Sequence, residues 1–576
     1  MTVTQLWFGT DDRPLAGRYH APVNGLARGA VVLCPAFGVE AAAAAPAMRE
    51  LAERLVGEGL AVLRFDYYGT GDSAGDDVED SRVEAWRSSI AEAVTYLRSR
   101  GHPWIGAVGL RLGATLLAET LGGEVTTNAV VLWDPCLSGR SFLREQQLLL
   151  RVLSGEGELP DNESRYGPGV TYSAATAAAL SKISLKDALG QIVEPTLLIT
   201  REAHREAGVL ADSAARPGLT SREVSGQIEL VGVEPAVAQV PVATLELMTE
   251  WLSKLAPTDW HETRPPESGR AVVGRSDSGE PIVEYSTSIG SDGLFAMFTE
   301  PPSLGSSTTV VFLNAGMLDH VGPSRLWVEL SRRWAALGYR TLRFDLSGIG
   351  ESPALEGMAE PITRSVHSLR QVAEVVDSLA PGGATPDVLL VGLCSGAYQA
   401  MEAAIAGHAR AVFLVNPDFR ANPLQSAQVG ESLLKREVAE SPSKWYSMLE
   451  QQPRLWPIAR HFPDIVWRCI NSLGLATSRA DTFVRLGEAN VNTLVVSNSD
   501  QADTYVRGRK ARLRRLSHQG VLTFARLDPL DHTVFGPLAR RSVSNVLTSG
   551  LQDRFGTSRV VTDPAIPDGK AGAPPR

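Results

Sequence analysis

The chain has 576 residues, 44% of them hydrophobic and 21% charged, with a net charge of −10. Against a prior of roughly 150 residues per domain, that length implies two to four domains with ordinary globular cores. The acidic balance argues against a nucleic-acid binder. The one basic run, Arg507 to Arg515, reads as a solvated helix face rather than a phosphate site. The four cysteines, Cys34, Cys136, Cys394 and Cys469, show no CxxC pair or metal-ligand spacing, so neither a zinc site nor a disulfide scaffold is expected. No leader-like segment opens the sequence and no apolar run is long enough to span a bilayer, so a reducing cytoplasm is the expected compartment.

Taken in chain order, AVVLC at 30–34 reads as a short buried strand running into the turn PAFG. The helical pattern MRELAERLVGEG follows. Next come the strand and Gly-rich turn GLAVLRFDYYGTGDSAG at 59–75, then AVGLRLGA at 107–114 and AVVLWDP at 129–135. A helical stretch at about 137–190 interrupts the pattern, and strands resume at PTLLIT (195–200) and QIELVG. Residues 258–275 are polar and Pro-containing and read as a linker. PIVEYSTSIGSDGLFAMFTEP then reads as a hairpin.

The series now repeats. TVVFL at 309–313 runs into NAGM, WVELSRRWAALG is helical, and GYRTLRFDLSGIGESPA occupies 338–354. LVGLCSGA follows at 390–397 and AVFLVNP at 411–417. A second helical stretch at about 417–490 carries Trp445, Tyr446, Trp456 and Trp467. Strands resume at NTLVVS (492–497) and VLTFAR. The Pro/Gly-rich tail from 556 to 576 reads as disordered.

Strand–helix–strand alternation implies a mostly parallel, doubly wound sheet in each repeat. A late insertion reads as a cap over the strand C-terminal ends, where ligands bind in such folds. The expected domains are therefore 1–257, with a cap at about 137–190, and 276–555, with a cap at about 417–490.

Gly392-Leu393-Cys394-Ser395-Gly396, between a strand and a helix, has the form of a nucleophile elbow, in which a strained turn exposes the central side chain. Cys394 holds that central position. The backbone N–H of Ser395 and that of Met317, in the turn Asn314-Ala315-Gly316-Met317, are the expected oxyanion donors. Acid and base should follow in that order along the chain. Asp500 follows NTLVVS and His532 follows VLTFAR, with Asp503 and Asp418 as fallback acids. His320, near the oxyanion turn, is a candidate substrate contact. In the first repeat the elbow reads Gly109-Leu110-Arg111-Leu112-Gly113, so an arginine replaces the nucleophile and no histidine occupies the base position. Arg111 could bind a substrate carboxylate or phosphate, or form a structural salt bridge.

With these motifs in view, both repeats resemble serine aminopeptidase-type α/β hydrolases. More narrowly, they resemble the paired bacterial hydrolases associated with the exosortase A system. The second repeat carries the resemblance from Asn314 to Ala397, and the first through CPAFG-E and LRFDYYGTGDSAG. The expected chain is therefore an α/β chain of two tandem α/β-hydrolase domains, each with a helical cap; the first, lacking a nucleophile, is expected to be a pseudo-enzyme that docks against or stabilises the second. The expected activity is a cysteine-dependent acyl transfer. The acyl group would pass from a coenzyme A or carrier-protein thioester, through acyl-Cys394, to a small-molecule hydroxyl or amine in a biosynthetic pathway. An ester or thioester hydrolase with the same triad is the alternative enzyme, and a non-catalytic scaffold the alternative class. No cofactor or metal is expected. An acyl carrier protein is a possible partner.

Overall fold

The computed structural model describes Thr2 to Phe555 apart from residues 122, 124, 155–163, 202–216, 265, 268, 356–362, 380–386, 420–478 and 507–509. Most of the second expected cap, with its four aromatics, and the tail 556–576 lie outside the described residues.

Two large sheets organise the chain. In the N-terminal half the order across the sheet is Thr2–Thr10, Arg13–Ala21, Leu60–Phe65, Gly29–Cys34, Ile105–Leu110, Ala129–Trp133, Thr196–Arg201 and Leu219–Val224. The first two strands form an antiparallel hairpin, the second lies antiparallel to Leu60–Phe65, and the rest pair in parallel. In the C-terminal half an extra edge strand, Arg270–Arg275, precedes the same order: Pro281–Ile289, Leu294–Glu300, Arg340–Phe344, Thr309–Phe312, Val388–Leu393, Ala411–Val415, Asn492–Ser497 and Leu522–Arg526.

The central strands are apolar on both sides because both sheet faces are covered. Along Gly29–Cys34, Ala30, Val32 and Cys34 join one core with the helices Arg82–Ser99 and Leu112–Leu121. Val31 and Leu33 join another with Gly38–Gly57 and Val242–Leu255. The second half repeats this split, with Val311 on one face and Val310 and Phe312 on the other. The insertion of the first half combines the helix Gly139–Ser154, a small hairpin (Arg165–Gly167 with Val170–Tyr172) and the short helices Ala174–Leu180 and Leu185–Leu189. Among the described residues no helix is long and apolar enough to cross a membrane.

One expected element is corrected. QIELVG is not a strand. Gly226, at φ +92°, turns the chain into the helix Gln227–Val231, which buries Gln227, Leu230 and Val231 at i, i+3 and i+4, and the last strand is instead Leu219–Val224. Residues 258–275, read as the linker, carry strands of their own. His261–Glu262 pairs with Leu26–Ala27, Trp260 lies against Gly59, and Arg270–Arg275 joins the second sheet. Lys510 to Arg515 of the basic run lie in the helix Lys510–His518, where only Leu513 is buried.

The halves meet through corresponding loops, and their contacts are reciprocal, as at an isologous interface. Arg64 pairs with Glu351 at 2.6 Å, and Arg343, its counterpart, pairs with Asp72 at 2.7 Å. Each half also braces its own loop in the same way, Ser73 Oγ donating to the Asp66 carbonyl and Ser352 Oγ to that of Asp345. At the centre, Asp72 also accepts from Arg18 at 2.8 Å.

His320 lies in this centre, with its side chain 0% exposed, 2.8 Å from Asp72 through Nε2 and 2.7 Å from Asp345 through Nδ1. Both ring nitrogens are committed to carboxylates, so His320, the candidate substrate contact, here bridges the two halves. Burial opposes the charged ring, but Asp345 and Asp72 outweigh it and hold His320 well above the usual imidazole range. The sign follows from linkage: a raised native pKa stabilises fully below the unfolded value of about 6.5 and ceases to do so as pH rises through the native value. His320→Asn is therefore expected to be least stable relative to wild type at pH 5–6, with the gap closing under alkaline conditions. Urea midpoints across pH would check this; a pH-independent gap contradicts it.

Candidate active site

The strand Val388–Leu393 ends at Cys394, whose backbone takes φ 52° and ψ −111°, and the helix Ser395–Ile405 begins at the next residue. Such a conformation costs about 1–3 kcal/mol for a non-glycine residue and persists only where its surroundings enforce it. Here they do. A Cβ on Gly392 would fall 2.3 Å from the Gly396 carbonyl, and one on Gly396 would fall 2.7 Å from Asn314 O. The Cys394 N–H is held by Val415 O at 3.1 Å. Cys394 remains partly exposed.

The loop after Thr309–Phe312 packs against this elbow. Gly316 N–H donates to Ser395 Oγ at 2.8 Å, so the Ser395 hydroxyl, fully buried, serves as a bracket for the loop. Asn314 braces the loop from the other side, donating to Leu318 O and Asp345 Oδ1 and accepting from Leu346 N–H. The turn brings Met317 beside the elbow. Ser395 is the first residue of its helix, where N–H groups have no intrahelical acceptor.

His532 is exposed, in the loop between Leu522–Arg526 and the helix Pro537–Phe555. Asn416 holds this loop: its Nδ2 donates to both Asp531 O and His532 O at 3.0 Å. Asn416 is buried, sits at φ 43° after Ala411–Val415, and falls within the repeated AVFLVNP pattern. Its signal was the polar residue ending a buried strand beside the elbow.

Asp500 is exposed in the first turn of the helix Ser499–Tyr505. Among the described residues its carboxylate makes no ion pair, and no hydrogen bond joins it to the His532 ring. The fallback acids are engaged elsewhere. Asp503 pairs with Arg526 at 2.7 Å, and Asp418 pairs with Arg364 at 2.5 Å while its N–H donates to Cys394 O at 3.3 Å.

The corresponding elbow of the first half keeps the backbone, with Arg111 at φ 54° and its N–H on Trp133 O, but its chemistry is gone. Arg111 pairs with Glu40 at 3.0 Å, with Asp134 at 3.5 Å and with Glu145. Three carboxylates surround one cation, so Arg111 has no charge left for a substrate anion. Of the two readings the sequence left open for Arg111, these pairings favour the structural salt bridge.

The Alpha/beta hydrolase family matches this chain over residues 310–551, the span that contains the Cys394 elbow, Asp500 and His532. No curated protein matches. Similar solved structures include Est1E from Butyrivibrio proteoclasticus, at 16% identity, covering 44% of this chain and 98% of that one with a TM-score of 0.33. The Pyrococcus furiosus esterase Pf2001 is similar at 18% identity, covering 44% and 91% with a TM-score of 0.33. A proline iminopeptidase from Mycobacterium smegmatis is similar at 13% identity, covering 44% and 99% with a TM-score of 0.32.

Proposed function

We propose that the two halves are tandem α/β-hydrolase units and that the second is an acyl-transfer enzyme whose nucleophile is Cys394. The carrying observation is the strained elbow, which fixes a partly exposed thiol at the start of a helix beside the Gly316–Met317 turn. In the first step Cys394 Sγ attacks a thioester carbonyl while His532 takes the thiol proton. The N–H groups of Ser395 and Met317 hold the resulting oxyanion, and the helix N-terminus adds to that stabilisation. Collapse expels the donor thiol, which recovers the proton from His532. An acceptor hydroxyl or amine then loses its proton to His532, attacks the acyl-Cys394 carbonyl, and releases the thiol with the proton returned. Asp500 orients His532 once the two loops close on a bound substrate; catalytic hydrogen bonds are often long before substrate binds. Arg111 leaves the first half with no nucleophile, so its role is support.

Hydrolysis by the same residues is the second reading, favoured by the exposure of His532, which admits water. Free-thiol release from butyryl-coenzyme A, with and without hydroxylamine, tests both. We expect release that depends on Cys394, with hydroxamate formed ahead of free acid. Unchanged release in Cys394→Ala sinks both readings, and exclusive free acid leaves only the hydrolase.

Asn416→Ala is expected to lower kcat by roughly 10²-fold, the cost of a misplaced base, with KM for the thioester nearly unchanged. Asn416→Asp, close in shape but without N–H donors, should not restore the rate. Steady-state kinetics of the two variants checks this.

A further inference from the structure

A cavity of about 830 Å³ lies between the halves. Its first wall is one face of the helix Gly38–Gly57, where Ala41, Ala42 and Ala45 are half-buried, and its second is the loop Met317–Val321. Gly316, the residue before Met317, is bonded to Ser395, so the loop that walls this cavity also packs against the Cys394 elbow, although Cys394 and His532 are not among the residues that line it.

The charges on its walls narrow the ligand. Arg18, Arg49, Arg54, Arg64, Arg82, Arg325 and Arg540 are each bound to a carboxylate or backbone carbonyl. That leaves no unspent cation for a phosphorylated donor. Among the described residues, every lining carboxylate but Asp319 has a salt bridge. Asp319 accepts only the Val321 N–H through Oδ1. Burial, opposed by His320 and reinforced by Asp345, pushes its carboxyl up to about 6, so above that pH it presents a carboxylate in a largely apolar space.

We propose that this inter-half cavity binds an apolar alcohol whose hydroxyl donates to Asp319, holding the acceptor on the loop that packs against the elbow until its proton passes to His532 in the transfer step. The inference rests on the Cys394 reading, but binding is measured without catalysis, so the two fail separately. The first half then contributes a wall of the substrate site in place of a nucleophile. That is a reason for the chain to keep it.

The test uses full-length Cys394→Ala and two probes, 1-hexanol and its methyl ether, followed by saturation-transfer NMR and titration at pH 8. Hexanol is expected to bind and to be preferred over the ether, which cannot donate. Asp319→Asn should erase that preference. Ala42→Trp and Ala45→Trp, which fill the cavity from the first half, should weaken hexanol about tenfold. Thermal melts confirm that the variants fold, and Asp319→Asn, nearly isosteric, stands if a tryptophan variant does not. Absence of hexanol binding, or equal binding of alcohol and ether by Cys394→Ala and by its Asp319→Asn variant, overturns the proposal. Hexanol binding to Cys394→Ala in a protein whose wild type forms no acyl adduct would retain the site and remove its catalytic meaning.

Discussion

Asp72→Ala is expected to cost about 3–5 kcal/mol of stability, because it removes the shared partner of three buried cationic groups. Asp72 is fully buried and meets Arg18 at 2.8 Å, Arg343 at 2.7 Å and His320 at 2.8 Å. Burial alone would favour the neutral acid, but His320, Arg343 and Arg18 together hold Asp72 well below the usual carboxylate range. Alanine removes one carboxylate from each of two guanidiniums and an imidazolium, leaving Arg18 to Asp66 and Glu351, Arg343 to Glu284, and His320 to Asp345. Asp72→Asn keeps the shape and two acceptor lone pairs, so it should cost less. Glu351, the counterpart residue, is likewise held low against burial by Arg64 and Arg18. Depressed native values of this kind stabilise above about pH 4 and lose that contribution as pH falls through them. The interface is thus expected to fail first in acid. Urea denaturation of the variants at neutral pH, and of wild type from pH 7 to 3, reads both effects. An Asp72→Ala variant within about 0.5 kcal/mol of wild type, the range of an ordinary surface substitution, would show that the halves do not depend on this network.

His532→Ala and Cys394→Ala are each expected to lower kcat by about 10⁴-fold or more, and the double variant should be no worse than either alone. Nucleophile and base act as one unit, so removing either removes the step. Asp500→Ala should be milder, since it costs orientation of the ring rather than the proton acceptor. Additive losses for Cys394 and His532 would show that they do not serve one reaction.

The sequence made the fold legible where geometry forces composition. Strands covered on both faces must be apolar throughout, and Gly392 and Gly396 lie where a Cβ would meet backbone. The elbow and its repeat at Arg111 could therefore be read before any coordinates. QIELVG was misread because a short apolar run serves helix and strand alike. The strands Leu26–Ala27 and His261–Glu262 are too short to carry a pattern at all. The place of His320 was not legible because its partner Asp72 lies 248 residues away, and nothing local to HVGP reveals which loop will face it. Arg111 left two readings open, and three carboxylates scattered from Glu40 to Glu145 favour the structural one. Asn416 and the inter-half cavity were invisible for the same reason, since both depend on loops brought together only by folding.

The central claim is that Cys394 carries the acyl group. Intact-mass spectrometry of the full chain after incubation with butyryl-coenzyme A, followed by peptide mapping, tests it most directly. A single butyryl adduct on the Cys394 peptide is expected, absent from Cys394→Ala. Cys34 and Cys136 should stay unmodified, because burial pushes both thiols up and shields them. Turnover with no adduct at Cys394, or an adduct that survives Cys394→Ala, would contradict the account.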